Sequence, residues 1–136
     1  MTSALVFNQP WLTIRWNREH KYVDAQWRAF ANSKEFRSAA LKILDVLRDT
    51  KAASLVSDNR ELEVVVPADQ FWIRDEWTPL AVDAGLKRIA VIVAPTGLGR
   101  FASQTIVSQF PDGTFETRIF DSLAEALGWV AAPIDA

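Results

Sequence analysis

From Leu12 to Trp27 the chain alternates between apolar and polar positions. Leu12, Ile14 and Trp16 stand between Thr13, Arg15 and Asn17; after a short polar segment, Val23, Ala25, Trp27 and Ala29 alternate with Asp24, Gln26 and Arg28. A period of two is that of a strand with one buried face, and two such runs joined by a polar loop predict an antiparallel hairpin. Ala4 to Phe7 adds a short edge strand before Pro10. The period then lengthens. Asn32 followed by Glu35 is a capping-box signature, with Ser33 as the alternative cap, and Phe36, Ala40, Ile43 and Leu47 follow on one helical stripe that runs to about Thr50.

The remainder alternates between strand and helix. AASLVS, ending at Ser57, is short and apolar enough for a strand buried on both faces. ELEVVV (61–66) fits a return strand or an extended loop equally, since periodicity does not choose between them. Pro67 suits the first turn of a helix whose stripe is Ile73, Trp77, Leu80, Ala81 and Ala84. Pro79 removes a hydrogen bond inside that helix and crowds the preceding turn, which predicts a kink near Asp75. Gly85 then Leu86 fits a left-handed cap. IAVIVAP is a central strand, and a helix with Leu98, Ala102, Ile106 and Phe110 on one face follows TGLGR. Pro111-Asp112-Gly113 turns the chain into the strand TFETRIF, and Ser122 with Glu125 caps a last helix through Trp129 and Val130. The expected fold class is α/β: a mixed sheet, with an N-terminal antiparallel hairpin followed by alternating helices and mostly parallel strands.

Composition narrows the function. At 136 residues the chain is one domain, 1–136, and 49% apolar against 24% charged residues is a globular balance. No apolar run approaches the ~20 residues of a membrane span. MTSALVFNQP lacks the positive flank of a signal peptide, so the expected location is cytoplasmic. With no Cys, thiolate metal sites, Cys nucleophiles and disulfides are excluded. A Ser-His-Asp triad would have to use His20, the single His, which sits in a polar turn. A net charge of −2, with the basic residues spread along the chain, argues against nucleic acid or an anionic membrane as the main partner. No cofactor or metal is implied.

DNR at 58–60, PADQFW at 67–72, EWTPLAVDAGLKRIAVIV at 76–93 and FDSLAEALGWV at 120–130, in this order and spacing, resemble the SpoIIAA-like proteins of the STAS superfamily, and more narrowly the small bacterial STAS/SEC14-like single-domain proteins. The resemblance runs from about Trp11 onward. It implies a mixed sheet with helices mostly on one face, and little about activity. In the anti-sigma antagonists of that superfamily, a Ser two residues after an Asp is phosphorylated where a central strand meets a helix. Asp58 matches that Asp, but Arg60 holds the place of the Ser.

Ligands in sheets with parallel strands bind outside the strands' carboxyl ends. Three polar clusters fall there: Asp58, Asn59 and Arg60; Thr96, Gly97, Leu98, Gly99 and Arg100; and Asp121 with Ser122. The glycines would open backbone N–H groups to an anion, with Arg60 and Arg100 supplying charge. The bland alternative is that these are turns and caps. Trp72 falls off the buried stripe and is the candidate partly exposed aromatic, able to wall a pocket or anchor a partner. Two acidic groupings, Asp58/Glu61/Glu63 and Asp69/Asp75/Glu76, have neither catalytic nor ligand spacing. The leading expectation is therefore a non-enzymatic protein-interaction or regulatory module. The alternative is a carrier or sensor of a small anionic or lipid-like ligand, bound by Asp58, Asn59, Arg60, Trp72, Thr96, Gly97, Gly99 and Arg100. Homo-oligomerisation stays open.

Overall fold

A computed structural model describes residues 3–29, 32–62 and 64–134. Strands β1 (Ser3–Gln9), β2 (Leu12–Asn17) and β3 (Tyr22–Trp27) form an antiparallel meander. To β3 are added, each parallel to the last, β4 (Ser54–Asp58), β5 (Arg88–Ile92) and β6 (Glu116–Phe120), so the six strands lie in chain order. The mixed α/β sheet is thus as the alternation of periods predicts. β1 is longer than expected and carries a bulge between Leu5 and Phe7. Ala29 lies past the end of β3 and is exposed.

The helices start and stop where the chain's local chemistry directs. In α1 (Ser33–Thr50) Asn32 Oδ1 accepts the Glu35 N–H at 2.9 Å, so Asn32 and not Ser33 is the cap. Pro67 opens α2 (Pro67–Trp72), which passes through a wider π-helical turn, Ile73–Trp77, into α3 (Thr78–Asp83). The irregularity expected near Asp75 is this π turn. Pro79 has no N–H to give, and the Thr78 N–H reaches back to the Ile73 carbonyl, which also accepts the Thr78 hydroxyl at 2.8 Å. The added residue in the turn rotates the rest of the helix: Ile73, Trp77, Thr78 and Ala81 are buried, whereas Leu80, expected on the stripe, is exposed. Gly85 (φ +98°) ends α3. Its N–H donates to Val82 O at 3.0 Å, and the N–H of buried Leu86 donates to Ala81 O at 3.1 Å, the expected left-handed cap. Residues 61, 62 and 64–66 form no strand; Leu62 and Val65 turn inward and Val64 and Val66 outward.

The strand order dictates the layering. Each of α1, α2–α3 and α4 (Leu98–Ser108) connects one strand to the next parallel neighbour on the same side, and crossovers of one hand then place all three on one face. There the main core gathers Ile14, Val23, Ala25, Leu55 and Val91 against Phe36, Leu44, Leu47 and Trp77. α5 (Leu123–Ala131), capped by Ser122 Oγ, follows the last strand and folds onto the other face, packing Ala126 and Val130 on Val56, Ala90 and Ile92. α4 is the least embedded crossover helix: it buries Ala102 and Ser103, while Leu98, expected on its inner face, is 70% exposed. Among the described residues no helix is long and apolar enough to cross a membrane.

Candidate functional site

The end of β4 resolves the Ser-Asp-Asn-Arg sequence residue by residue. Alternation sends Ser57 to the helix-bearing face and Asp58 to the other. Buried Asp58 takes the Arg60 guanidinium in a two-pronged pair, Nε to Oδ1 at 2.9 Å and Nη2 to Oδ2 at 2.7 Å, and also accepts the Arg60 backbone N–H at 3.3 Å. That pair holds the Arg60 guanidinium charged beyond its ordinary range, the hydrogen bond to Asp58 being the main cause. The Asn59 N–H continues the ladder to Ile92 O at 2.8 Å, and its buried side chain turns inward. Ser57 Oγ donates to Asn59 Oδ1 at 2.7 Å, and Asn59 Nδ2 donates to Ser103 Oγ at 3.1 Å.

Those three polar residues lie at an apolar cavity of about 70 Å³ between the sheet and the helices. Trp27 and Phe36, stacked with centroids 5.1 Å apart, form part of its wall, with Ile73, Trp77, Ile106 and Phe110. The π turn brings both Ile73 and Trp77 to the lining, and the Trp77 indole N–H is spent on Ala40 O at 2.8 Å, so the ring faces the cavity as hydrocarbon. Among the described residues, the result is an apolar chamber whose polar side chains are two hydroxyls and an amide, without formal charge.

A separate open groove of about 550 Å³ runs across the carboxyl ends of the parallel strands, lined by Arg60, Glu61, Val64, Thr96, Leu98 and Gly99 among others. Leu62 belongs to the walls of both the groove and the cavity. Of the sequence candidates, Arg60, Thr96 and Gly99 meet in the groove, and Asn59 lines the cavity behind it. Gly97, at φ +94°, is the turn into α4 and a conformation that favours glycine. Arg100 points to Asp121 Oδ1 at 2.7 Å and Ala94 O at 3.1 Å. An anion in the groove would therefore compete with Asp58 for Arg60, and one drawing on Arg100 would compete with Asp121. Trp72 is not in either lining; it packs partly buried under the Arg37 guanidinium, 5.2 Å from its ring centroid. Arg37 in turn pairs with buried Asp69 at 2.8 Å, while Asp75 pairs with Arg74, so these carboxylates serve separate guanidinium partners. Glu63 lies outside the described residues. His20 is in the β2–β3 turn, its backbone N–H bonded to Asn17 Oδ1 at 2.8 Å.

On the opposite face the strands carry a polar row that α5 does not cover. Thr13 pairs across to Gln26 and Gln26 to Asp58; Arg28 donates to Thr13 Oγ1 at 2.6 Å, and Gln26 Nε2 reaches Glu61 at 3.4 Å. Asp24 is registered against Arg15 on β2 and Val56 on β4. Burial, reinforced by the nearby Asp58 carboxylate and opposed by Arg15 and Arg60, pushes its carboxyl up to about 6.

The sequence pattern places Asp58, Asn59 and Arg60 at a strand end but does not disclose Ser103 or the chamber. The available signal was Ser103 one turn before Ile106 and Val107, a hydroxyl on what had to be an inner helix face. No family model, curated protein or solved structure matches the chain.

Proposed function

We propose that this chain is a non-enzymatic, cytoplasmic, STAS-like module that carries or senses a small lipid-like molecule with a neutral polar head. The observation behind this is the apolar cavity bounded by the Ser57–Asn59–Ser103 hydrogen-bond relay. Ligand sites are mostly apolar with a few placed polar groups. Burying a charged head against uncharged hydroxyls and an amide would cost far more than burying an alcohol or amide. The cavity, about 70 Å³, is smaller than the ~150 Å³ that accepts benzene in an engineered core. Entry of anything larger displaces α4, the helix with the shallowest embedding, which turns in at Gly97. Three helices on one face of a mixed sheet support the STAS-like part of the reading.

Trp27 and Trp77 line the chamber and supply the readout. Titration with straight-chain alcohols of four to eight carbons should give a saturable change in Trp fluorescence. Ser103→Ala should weaken alcohol binding about five-fold, the loss of one hydrogen bond of ~1 kcal/mol. Val107→Phe, which fills the chamber, should abolish it while far-UV circular dichroism stays unchanged. A non-saturating signal, or one indifferent to Val107→Phe in a folded variant, would sink the proposal.

One observation favours a second reading, a protein-interaction module: Leu98 and Phe101 on α4 are 70% and 68% exposed. Native mass spectrometry of protein purified from its own host separates the two. A co-purified small molecule lost in Val107→Phe supports the carrier; a co-purified protein lost in Leu98→Ser/Phe101→Ser supports the interaction module.

A further inference from the structure

The sheet's two edges differ. β6 is short, five residues, and its outer positions carry Glu116 and Arg118, which pair with each other at 3.3 Å. Charge and shortness are the ordinary protections of an edge against pairing with another chain. β1 is seven residues, SALVFNQ, with no charged residue and no Pro, and Leu5 and Val6 are 56% and 45% exposed. The bulge after Leu5 twists the strand and limits each regular stretch to Ser3–Leu5 and Phe7–Gln9. Backbone pairing alone would thus be short, and side chains must contribute.

They are present beside it. Phe7 and Gln9, on the helix-bearing side of β1, open onto a groove of about 430 Å³ whose other wall is the outer face of α1, with Leu41, Lys42 and Asp45. Leu41 is 42% exposed, and the Lys42 ammonium lies 5.4 Å from the Phe7 ring centroid. We infer that this surface is the seat of a second copy of the same chain. Two β1 strands meet antiparallel across a two-fold axis, and the two α1 helices flank it side by side.

The observations choose a second copy over a foreign strand. A two-fold contact sets each patch against itself, so a charged edge would repel its own image; β1 carries no charge. On α1, Lys42 and Asp45 are opposite in sign and about one turn apart. An antiparallel copy of that helix sets each Lys42 against the other's Asp45, a pairing that a two-fold axis satisfies twice. Phe7 and Leu41 provide the apolar centre on the helix-bearing side, and Leu5, registered against Arg15, adds an exposed apolar position on the other face of the strand.

Sedimentation velocity of the full chain at tens of micromolar should give twice its mass of 15.3 kDa. Lys42→Glu should weaken the dimer by about ten-fold or more, because each glutamate then faces Asp45 of the other copy. Lys42→Glu/Asp45→Lys should restore it. Leu5→Lys, at an exposed position, should give a folded monomer by circular dichroism. A wild-type monomer across that range, a Lys42→Glu dimer of unchanged affinity, or a charge swap that fails to rescue would each overturn the inference.

Discussion

Beneath α1, α2–α3 and α4 the sheet meets three helices with an almost unbroken apolar surface, whereas on its other face α5 alone covers β4–β6 and the first strands show a polar row. The first face is held by area removed from water. Such packing leaves a chamber without collapse because aromatic rings and a π turn brace its walls. The second face is held by specific partners: Arg88, buried, donates to Ser54 Oγ at 2.9 Å and to the carbonyls of Val130 and Ala132, fastening α5. Near it Asp24 and Asp58 are kept tolerable by Arg15 and Arg60. One face tolerates change in shape poorly, and the other tolerates change in charge poorly.

On the helix-bearing face the most sensitive position is Trp77. Trp77→Ala enlarges an existing cavity and deletes the bond to Ala40 O, so it should cost about 3–5 kcal/mol in urea unfolding. A loss under about 1 kcal/mol would mean that the helix-bearing face is not the principal source of stability. On the other side, Arg88→Met keeps much of the side-chain length but leaves Ser54 Oγ and two C-terminal carbonyls without this donor. It should cost about 2–3 kcal/mol and loosen α5 first, seen as faster amide exchange over 123–131. Uniform exchange along the chain would deny Arg88 its fastening role.

Asp24→Asn on the polar face acts with the opposite sign. The folded carboxyl titrates near 6 against an ordinary value of 3.8, so the native state holds its proton more tightly than the unfolded chain. Its unfavourable contribution is absent below the unfolded value, grows through the interval, and is complete above about pH 6. Asn should therefore raise stability at pH 7.5 by up to about 3 kcal/mol and have little effect at pH 3.5, measured as the difference between variant and parent. An equal effect at both pH values would show that packing, and not charge, is responsible.

Local chemistry made much of this fold legible. The two-residue period of Leu12–Trp27, the Asn32 and Ser122 caps, and the Gly85–Leu86 cap depend on neighbours within a few positions, and each stands where its residues direct. Leu80 and Leu98 do not. For Leu80 the π turn inserted a residue into the helical count, a response to Pro79 whose form a 3.6-residue stripe does not contain. For Leu98 the first turn of α4 stands out over the strand ends: Ala102, Ile106 and Phe110 keep the expected inner face and Ser103 and Val107 widen it, while Leu98 lines the open groove. Loop 61–66 was undecidable because its apolar residues serve two walls, with Leu62 and Val65 inward and Val64 and Val66 outward. At the site, Asp58 and Arg60 were legible as a polar strand end. Their mutual pairing and the reach of Asn59 to Ser103, 44 positions later, depend on tertiary placement.

The strands occupy the sheet in the order in which they occur along the chain. During synthesis, every strand after the first finds its neighbour already made, and none must wait for a segment still to come or push between two that have joined. The sheet can grow outward from the hairpin one crossover at a time, and no closure on the way spans more than a single crossover. Until β6 arrives, each successive strand is briefly the raw margin of the sheet; once it has, that margin is finished in charge, and only the margin laid down first, β1, remains apolar.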